Sequence, residues 1–149
     1  MRHLNPYTVR LINAEETIPI RHAVLRINKP IASCYFLEDH VNTSFHLGLF
    51  FKKTLIGVAT FLKNNHPNFS ENSQYQLRGM AILQAHQNKG LGGLLLNQGM
   101  LELKKVHANR IWCHAREAAV HFYRKNGFKT IGDPFYITDI GFHFLMTLD

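Results

Sequence analysis

The chain has 149 residues, of which 46% are hydrophobic and 18% charged, and its formal net charge is +7. This length fits one domain, and the composition excludes intrinsic disorder, collagen and coiled coil. The longest apolar run, near 91–96, is interrupted by glycines and falls short of the roughly 20 residues that a membrane span needs. We therefore predict a single domain over residues 1–149 with no membrane-spanning segment.

The positive charge is spread along the chain and indicates attraction to an anion, without specifying which kind. Adjacent basic residues form pairs such as Lys52-Lys53 and Lys104-Lys105, and no longer Lys/Arg run typical of nucleic-acid binding occurs. The first 20 residues lack the apolar stretch of a secretory signal, so we expect a cytoplasmic protein. Cys34 and Cys113 match no metal or redox spacing, and we expect two buried thiols.

Hydrophobic periodicity predicts an α/β domain of the α+β type, with a mixed, mainly antiparallel central sheet flanked by helices. The predicted strands are, in chain order, 8–12, 44–51, 54–62, 74–83, 110–114, one that starts at 128–131, and 141–148. The predicted helices are 14–28, 90–107 and 116–126, and the irregular segment 29–42 leaves room for a short one.

Several local signals support these boundaries. Asn13 can cap the first helix, although Pro19 falls within its first turns and allows a later start. Lys52-Lys53 fits the turn of a hairpin, and Gly127 is typical of the position just after a helix. Asp133-Pro134 predicts a turn before the last strand.

Glycines stand at the predicted start of the second long helix, directly after a strand and a loop. The free backbone N–H groups of a helix N-terminus attract anions, and Gly90 and Gly92 carry no Cβ atoms that would block a phosphate. Lys89 adds positive charge beside them. The alternative is that the glycines only permit a tight turn and close packing of the helix. The spacing matches neither a P-loop nor a dinucleotide-binding fingerprint.

Two segments of the chain resemble motifs of the GNAT N-acetyltransferase superfamily. Residues 87–92, Gln-Asn-Lys-Gly-Leu-Gly, match the Gln/Arg-x-x-Gly-x-Gly/Ala signature, and 80–83 sit where that family has a splayed fourth strand. Residues 119–128 look like its Ala-x-x-φ-Tyr-x-x-x-Gly-Phe segment, in which φ is apolar. The tail is similar to the ElaA-like branch of predicted acyltransferases at Phe135, Ile140-Gly141, His143 and Met146.

The resemblance implies transfer of an acetyl or other acyl group from acetyl-CoA to the amine of a small molecule or peptide. The pyrophosphate of coenzyme A would be held by the backbone N–H groups of Gln87, Asn88, Lys89, Gly90, Leu91 and Gly92. Ile82 and Leu83 would offer backbone bonds to the pantetheine arm and the acyl carbonyl, and Tyr123 would lie near the thioester sulfur. Dimers are common among similar proteins, so a homodimer is compatible with the resemblance.

Tyr123 has the chemistry of a general acid for this reaction. A tyrosine of pKa about 10 keeps its proton at neutral pH and can donate it to a leaving thiolate whose pKa is about 8.5. The alternative is that Tyr123 is a packing residue of the helix, as most helical aromatic residues are.

The general base is not evident from the sequence. Many members of the family carry a glutamate on the fourth strand, but residues 76–80 read Gln-Leu-Arg-Gly-Met and contain no carboxylate. His114 and His143 have a suitable pKa and are our candidates, the alternatives being water or an amine that arrives neutral. Arg78 could instead face the acceptor and favour an acidic group there. No His/Cys spacing typical of zinc occurs, and we expect no metal.

Two other functional classes remain open at this point. A non-catalytic protein could keep the loop as an acyl-CoA sensor, or a basic module could bind nucleic acid or a protein partner. The intact loop and the retained Tyr123 favour the enzyme, and we expect no nucleic-acid partner.

Overall fold

The computed structural model describes residues 5–148, and its elements follow the predicted order. The strands are β1 (Tyr7–Ile12), β2 (Phe45–Phe51), β3 (Thr54–Lys63), β4 (Gln74–Ile82), β5 (Arg110–Arg116), β6 (Lys129–Ile137) and β7 (Gly141–Leu148). The helices are α1 (Ala14–Val24), α2 (Leu91–Lys105) and α3 (Val120–Lys125), with short 3-10 helices at Ile31–Cys34, Gln84–His86 and Glu117–Ala119.

The strands form one seven-stranded sheet in the order β1-β2-β3-β4-β5-β7-β6. Every neighbouring pair is antiparallel except β4 and β5, which run parallel. This confirms the predicted mixed, mainly antiparallel sheet. The parallel pairing extends from Gln74 opposite Arg110 to Gln76 opposite Trp112 and then stops, although both strands continue. A gap therefore opens between the later halves of β4 and β5.

A bulge in β4 explains why the two strands separate. The register between β3 and β4 shifts between Val58 and Thr60, and Gly79 on the bulged strand has a φ of 66°. A bulge bends a strand and increases its twist, and glycine adopts positive φ without steric cost. A Cβ atom on Gly79 would also lie 2.8 Å from the ring of Phe36. The fourth strand is thus splayed, as the resemblance implied.

Each face of the sheet packs against its own helices. On one face α2 and α3 cover the main core, whose fully buried side chains include Leu47, Phe61, Leu95 and Met146. On the other face α1 packs against β3 and β4 through a smaller cluster of Ile20, Val58 and Ala81. The free thiols of Cys34 and Cys113 are both buried, as expected. Over residues 5–148 no helix is long and apolar enough to cross a membrane.

The first helix starts at the predicted residue but ends earlier than predicted. The Asn13 side chain accepts a hydrogen bond from the Glu16 amide at 3.0 Å, and the Glu16 carboxylate accepts one from the Asn13 amide at 3.1 Å. This capping box fixes the start before Pro19, which lies inside the helix. The helix ends at Val24 instead of Asn28.

The turn predicted at Asp133-Pro134 is wrong. Strand β6 continues through both residues, and its register against β7 shifts between Ile131 and Phe135. Because β6 is an edge strand, its proline removes no hydrogen bond from the sheet interior. The third predicted helix is also shorter, because Arg116 belongs to β5.

A buried polar network joins α1 to the rest of the domain. The Arg21 guanidinium is fully buried and donates to both carboxylate oxygens of Asp39, at 2.8 and 2.9 Å. It also donates to the Thr60 hydroxyl at 2.8 Å and to the Cys34 carbonyl at 2.9 Å. These bonds fix the segment after α1 against β3, so that this segment can form one wall of the cavity described next.

Candidate active site

The loop between β4 and α2 holds an uncapped helix N-terminus. Asn88 and Gly90 adopt left-handed backbone conformations, with φ of 63° and 74°, and α2 starts at Leu91. No side chain caps this helix, so the first-turn N–H groups have no side-chain acceptor. A Cβ atom on Gly90 would meet no atom within 4 Å. The geometry fits an anionic group placed at the positive end of the helix dipole.

The structure requires a glycine at position 92 for a different reason than at position 90. A Cβ atom at this position would lie 2.7 Å from the ring of Phe122 on α3. The glycine is therefore required for the close packing of α2 against α3. For Gly92 this supports the alternative that a glycine permits close packing of the helix, rather than the interpretation that it lets a phosphate approach the backbone.

Hydrogen bonds within the chain already occupy some of the backbone groups assigned to coenzyme A. The Leu83 amide donates to the Ile56 carbonyl at 2.8 Å, and the Leu83 carbonyl accepts from the His86 amide at 2.9 Å. The Gln87 amide donates to the Gln84 carbonyl at 3.2 Å. The amides of Leu83 and Gln87 are thus already engaged within the chain, whereas the Leu83 carbonyl can accept a second hydrogen bond.

Ile82 faces the gap between β4 and β5. Hydrogen-bonding direction alternates along a strand, and the next residue, Leu83, donates to β3. The Ile82 carbonyl accepts a hydrogen bond from Nε2 of Gln87 at 2.8 Å, which leaves its amide as the backbone donor on that side. The loop is further fixed by the Tyr7 hydroxyl, 3.1 Å from Nδ1 of His86, a contact between distant residues that no sequence motif signals.

A cavity of about 410 Å³ lies where β4 and β5 separate, and its lining includes Tyr123 of α3 as well as Leu25 and Arg26, which follow α1. It brings together all three candidate catalytic residues, Tyr123, His114 and His143, and it is also lined by Arg26, Arg78 and Arg116. A second cavity of about 330 Å³ shares several of its lining residues. The 410 Å³ cavity contains no aspartate or glutamate in its lining, in agreement with the absence of a carboxylate at 76–80.

Tyr123 is both a core residue and a residue of the cavity wall. Its side chain is 8% exposed, and its ring packs against Phe122 and Phe128 at centroid distances of 5.1 and 5.2 Å. Burial, and secondarily the nearby Cys113, raises the pKa of the phenol well above its ordinary value. The hydroxyl keeps its proton over the physiological range and makes no hydrogen bond within the described residues.

His143 is held in one orientation. The ring is buried, and its Nδ1 lies 3.0 Å from the Gly141 carbonyl. Because a carbonyl can only accept, Nδ1 carries a proton, and the neutral form of this ring therefore has its lone pair on Nε2. The ring also stacks on Phe135 at 5.8 Å.

His114 lies among other aromatic rings on β5. Its ring centroid is 5.1 Å from Trp112, 4.9 Å from Phe135 and 5.7 Å from His66. Burial lowers the pKa of His114, and electrostatic interactions with His66, His143 and Arg78 lower it further. The imidazole is neutral at neutral pH and can accept a proton.

The described residues include no group of three or more His, Cys, Asp or Glu side chains arranged to hold a metal ion.

Two of the cavity arginines, Arg26 and Arg116, were not singled out in the sequence, unlike Arg78. They come from elements 90 residues apart in the chain, and only the fold brings them together.

Comparison with known proteins agrees with this geometry. The model of the acetyltransferase (GNAT) family matches residues 10–128. The chain is 39% identical to YitI of Bacillus subtilis strain 168, named an uncharacterized N-acetyltransferase, over 138 residues that cover 93% of each chain.

Solved structures share the fold at low sequence identity. ElaA of Escherichia coli superposes with a TM-score of 0.77 at 14% identity, covering 96% of this chain and 99% of that one. A GNAT family acetyltransferase of Elizabethkingia anophelis, solved with acetyl-CoA bound, superposes with a TM-score of 0.69 at 15% identity, covering 98% and 99%. The family model and the Bacillus relative confirm the resemblance read from the two motifs: the chain belongs to the acetyltransferase (GNAT) family of enzymes.

Proposed function

We propose that this enzyme moves an acetyl group from acetyl-CoA to the amine of a small molecule, by direct attack of the amine on the thioester. The observation that carries the proposal is the position of Tyr123. It lies on the wall of a cavity beside the gap between β4 and β5, and its hydroxyl makes no hydrogen bond to any residue of the range 5–148. The reaction we propose takes place in the cytoplasm, where acetyl-CoA is made and where free thiols such as Cys34 and Cys113 persist.

Acetyl-CoA would bind along the gap. The pyrophosphate would lie at the N-terminus of α2, where Leu91 and Gly92 present backbone N–H groups and Lys89 adds positive charge. Asn88 and Gly90 shape the turn that exposes those groups. The pantetheine arm would take the place of the missing strand pairing, with a hydrogen bond from the Ile82 amide.

The reaction needs one proton to leave the amine and one to reach sulfur. The nitrogen forms a bond to the acetyl carbon, the carbon–sulfur bond breaks, and sulfur leaves with the bonding pair. Tyr123 would donate a hydrogen bond to that sulfur, which stabilises its developing negative charge, and then its proton. The proton that nitrogen loses would pass through a base to the Tyr123 phenolate, so that the products are the amide and the thiol of coenzyme A and the tyrosine is neutral again.

A histidine would take the proton from the amine. His143 offers an oriented Nε2 lone pair, and His114 offers a ring that is neutral at neutral pH. Both line the same cavity as Tyr123, which supports either as the base and assigns neither.

The test is a thiol-release assay with acetyl-CoA and a panel of amines, run beside a calorimetric titration with CoA. We expect CoA binding and thiol release that depends on the amine. CoA binding without release on any amine would favour an acyl-CoA sensor. No CoA binding would overturn the proposal and favour the basic binding module.

A further inference from the structure

Three arginines from separate elements converge on the cavity. We call them the arginine cluster: Arg26 follows α1, Arg78 lies on β4 and Arg116 ends β5. Arg26 and Arg116 both donate to the Leu25 carbonyl, at 3.1 and 3.4 Å. Two guanidinium groups that share one carbonyl oxygen repel each other unless an anion lies between them.

The arginine cluster has no acidic partner within the described residues, where four ion pairs are recorded elsewhere. The structural arginines of this fold differ in this respect, since Arg21 pairs with Asp39 and Arg110 pairs with Glu71. Glu38 attracts Arg78 electrostatically but forms no ion pair with it. Burial lowers the pKa of Arg78 and of Arg116, which shows that both guanidinium groups have lost part of their hydration. Half-buried cations of this kind are typical of an anion site.

Arg78 is held in place by stacking. The Phe36 ring lies between two guanidinium groups, with Arg21 at 3.7 Å on one face and Arg78 at 3.9 Å on the other. Arg21 is itself fixed by Asp39. Stacking uses the face of a guanidinium group and leaves its in-plane N–H donors free for a bidentate acceptor.

We propose that the acceptor molecule carries, besides its amine, a carboxylate or a phosphate that the arginine cluster binds. This inference rests on the proposed acetyl transfer. The anion would be held at the arginine cluster while the amine reaches toward Tyr123, which lines the same cavity. A cavity of about 410 Å³ fits a small metabolite. The same positive field excludes polyamines and other acceptors with a second cationic group.

Matched pairs of amines that differ by the anion test this inference. With acetyl-CoA saturating, kcat/KM is compared for O-phosphoethanolamine against ethanolamine and for glycine against glycinamide. The first pair tests phosphate and the second carboxylate. We expect the anionic member of at least one pair to be preferred by roughly tenfold or more, since charge-assisted hydrogen bonds orient it. Binding of the same four amines to the CoA-saturated protein is measured by calorimetry.

Variants test whether the arginine cluster causes the preference for anionic amines. Arg78→Gln and Arg116→Gln should each reduce the ratio of kcat/KM toward one and leave CoA affinity unchanged. Arg78→Lys should keep part of the preference for the anionic amine, because lysine retains the positive charge but lacks the paired N–H donors of a guanidinium group. Arg10→Gln is the matched control, since Arg10 lies on the edge strand β1, stacks on Phe50 of β2 and does not line the cavity.

The possible outcomes separate this inference from the proposed function. Equal kcat/KM and equal binding for both members of both pairs would overturn the anionic acceptor and leave acetyl transfer intact. A loss of CoA affinity in Arg78→Gln and Arg116→Gln, without an effect on the ratio, would overturn it as well and assign the cluster to coenzyme A. Preferential binding of an anionic amine without thiol release would support the anion site and count against acetyl transfer.

Discussion

Gly92 of α2 and Phe122 of α3 pack so closely that a Cβ atom on the glycine would lie 2.7 Å from the aromatic ring. The replacement Gly92→Val should therefore lower the free energy of unfolding by about 1–3 kcal/mol, the usual cost of overpacking. Urea unfolding followed by circular dichroism measures it. The double variant with Phe122→Leu should recover part of the loss. Full stability in the single variant would show that α3 can shift away.

Gly93 offers a cleaner test of the anion site. Its Cβ position has only an ordinary contact, 3.6 Å from Oδ1 of Asn126. In Gly93→Glu, a carboxylate in the first turn of α2 should keep or raise stability, since it favours the helix dipole and replaces a helical glycine. The same charge should weaken CoA binding by roughly tenfold through repulsion of the pyrophosphate.

Gly93→Gln is the uncharged control for that variant, and calorimetry measures both. Equal CoA affinity in the two variants would place the pyrophosphate away from the N-terminus of α2.

Tyr123→Phe should lower kcat by roughly 10²-fold, within the range for loss of a general acid. CoA affinity should be unchanged, because the proton is needed only when sulfur leaves. Stability should change little, since the hydroxyl makes no hydrogen bond within the described residues. Tyr136→Phe, at an exposed tyrosine on β6, is the control. Wild-type kcat in a chemistry-limited assay would make Tyr123 a packing residue.

The pH profile of kcat identifies the base. A base works in its neutral form, so kcat rises as pH increases through its pKa. Burial lowers the pKa of His114, so if His114 is the base, the rising part of the pH profile should lie below pH 6.5. That rise should disappear in His114→Ala and persist in His143→Ala. The opposite pattern would assign His143, and an unchanged profile in both would leave the proton to water or the substrate.

Protonation of Asp39 in its buried pair with Arg21 should account for most of the stability that the protein loses in acid. Burial raises the pKa of Asp39, but hydrogen bonds from Arg21 and the Phe36 amide outweigh burial and hold it below 3.8. A lowered carboxyl pKa contributes stability that is present above 3.8 and is lost as pH falls through the folded value. Asp39→Asn should cost roughly 3–5 kcal/mol at neutral pH, because it leaves a buried guanidinium unpaired. Urea titrations from pH 7 to 3 test both points, and an unchanged acid limb in the variant would contradict them.

The order of elements could be predicted from the sequence because periodicity and turn residues act locally. The hairpin at Lys52-Lys53 and the glycine-rich start of α2 are examples. The continuation of β6 through Pro134 could not be predicted, since it depends on β6 being an edge strand, a property of the whole sheet.

The candidate site was predictable in part for a similar reason. Tyr123 stood out through its motif, and the structure places it with His114 and His143. Arg26 and Arg116 carried no local signal, because their proximity results from the ends of α1 and β5 meeting in the fold, where Arg116 donates to the Leu25 carbonyl. The backbone bonds of Leu83 depend on which way its amide points, and this too follows from pairing with β3.

The short parallel pairing of β4 with β5 has a thermodynamic consequence. In the described chain, strand pairing between the half of the sheet made of β1–β4 and the half made of β5–β7 consists of three residue pairs. A ligand whose amide groups bridge the rest of the gap acts as an eighth strand, so its binding energy is added to the cohesion between the two halves. With acetyl-CoA bound as proposed, the amides along that edge should exchange with solvent more slowly, and each round of turnover would then tighten and loosen the middle of the sheet.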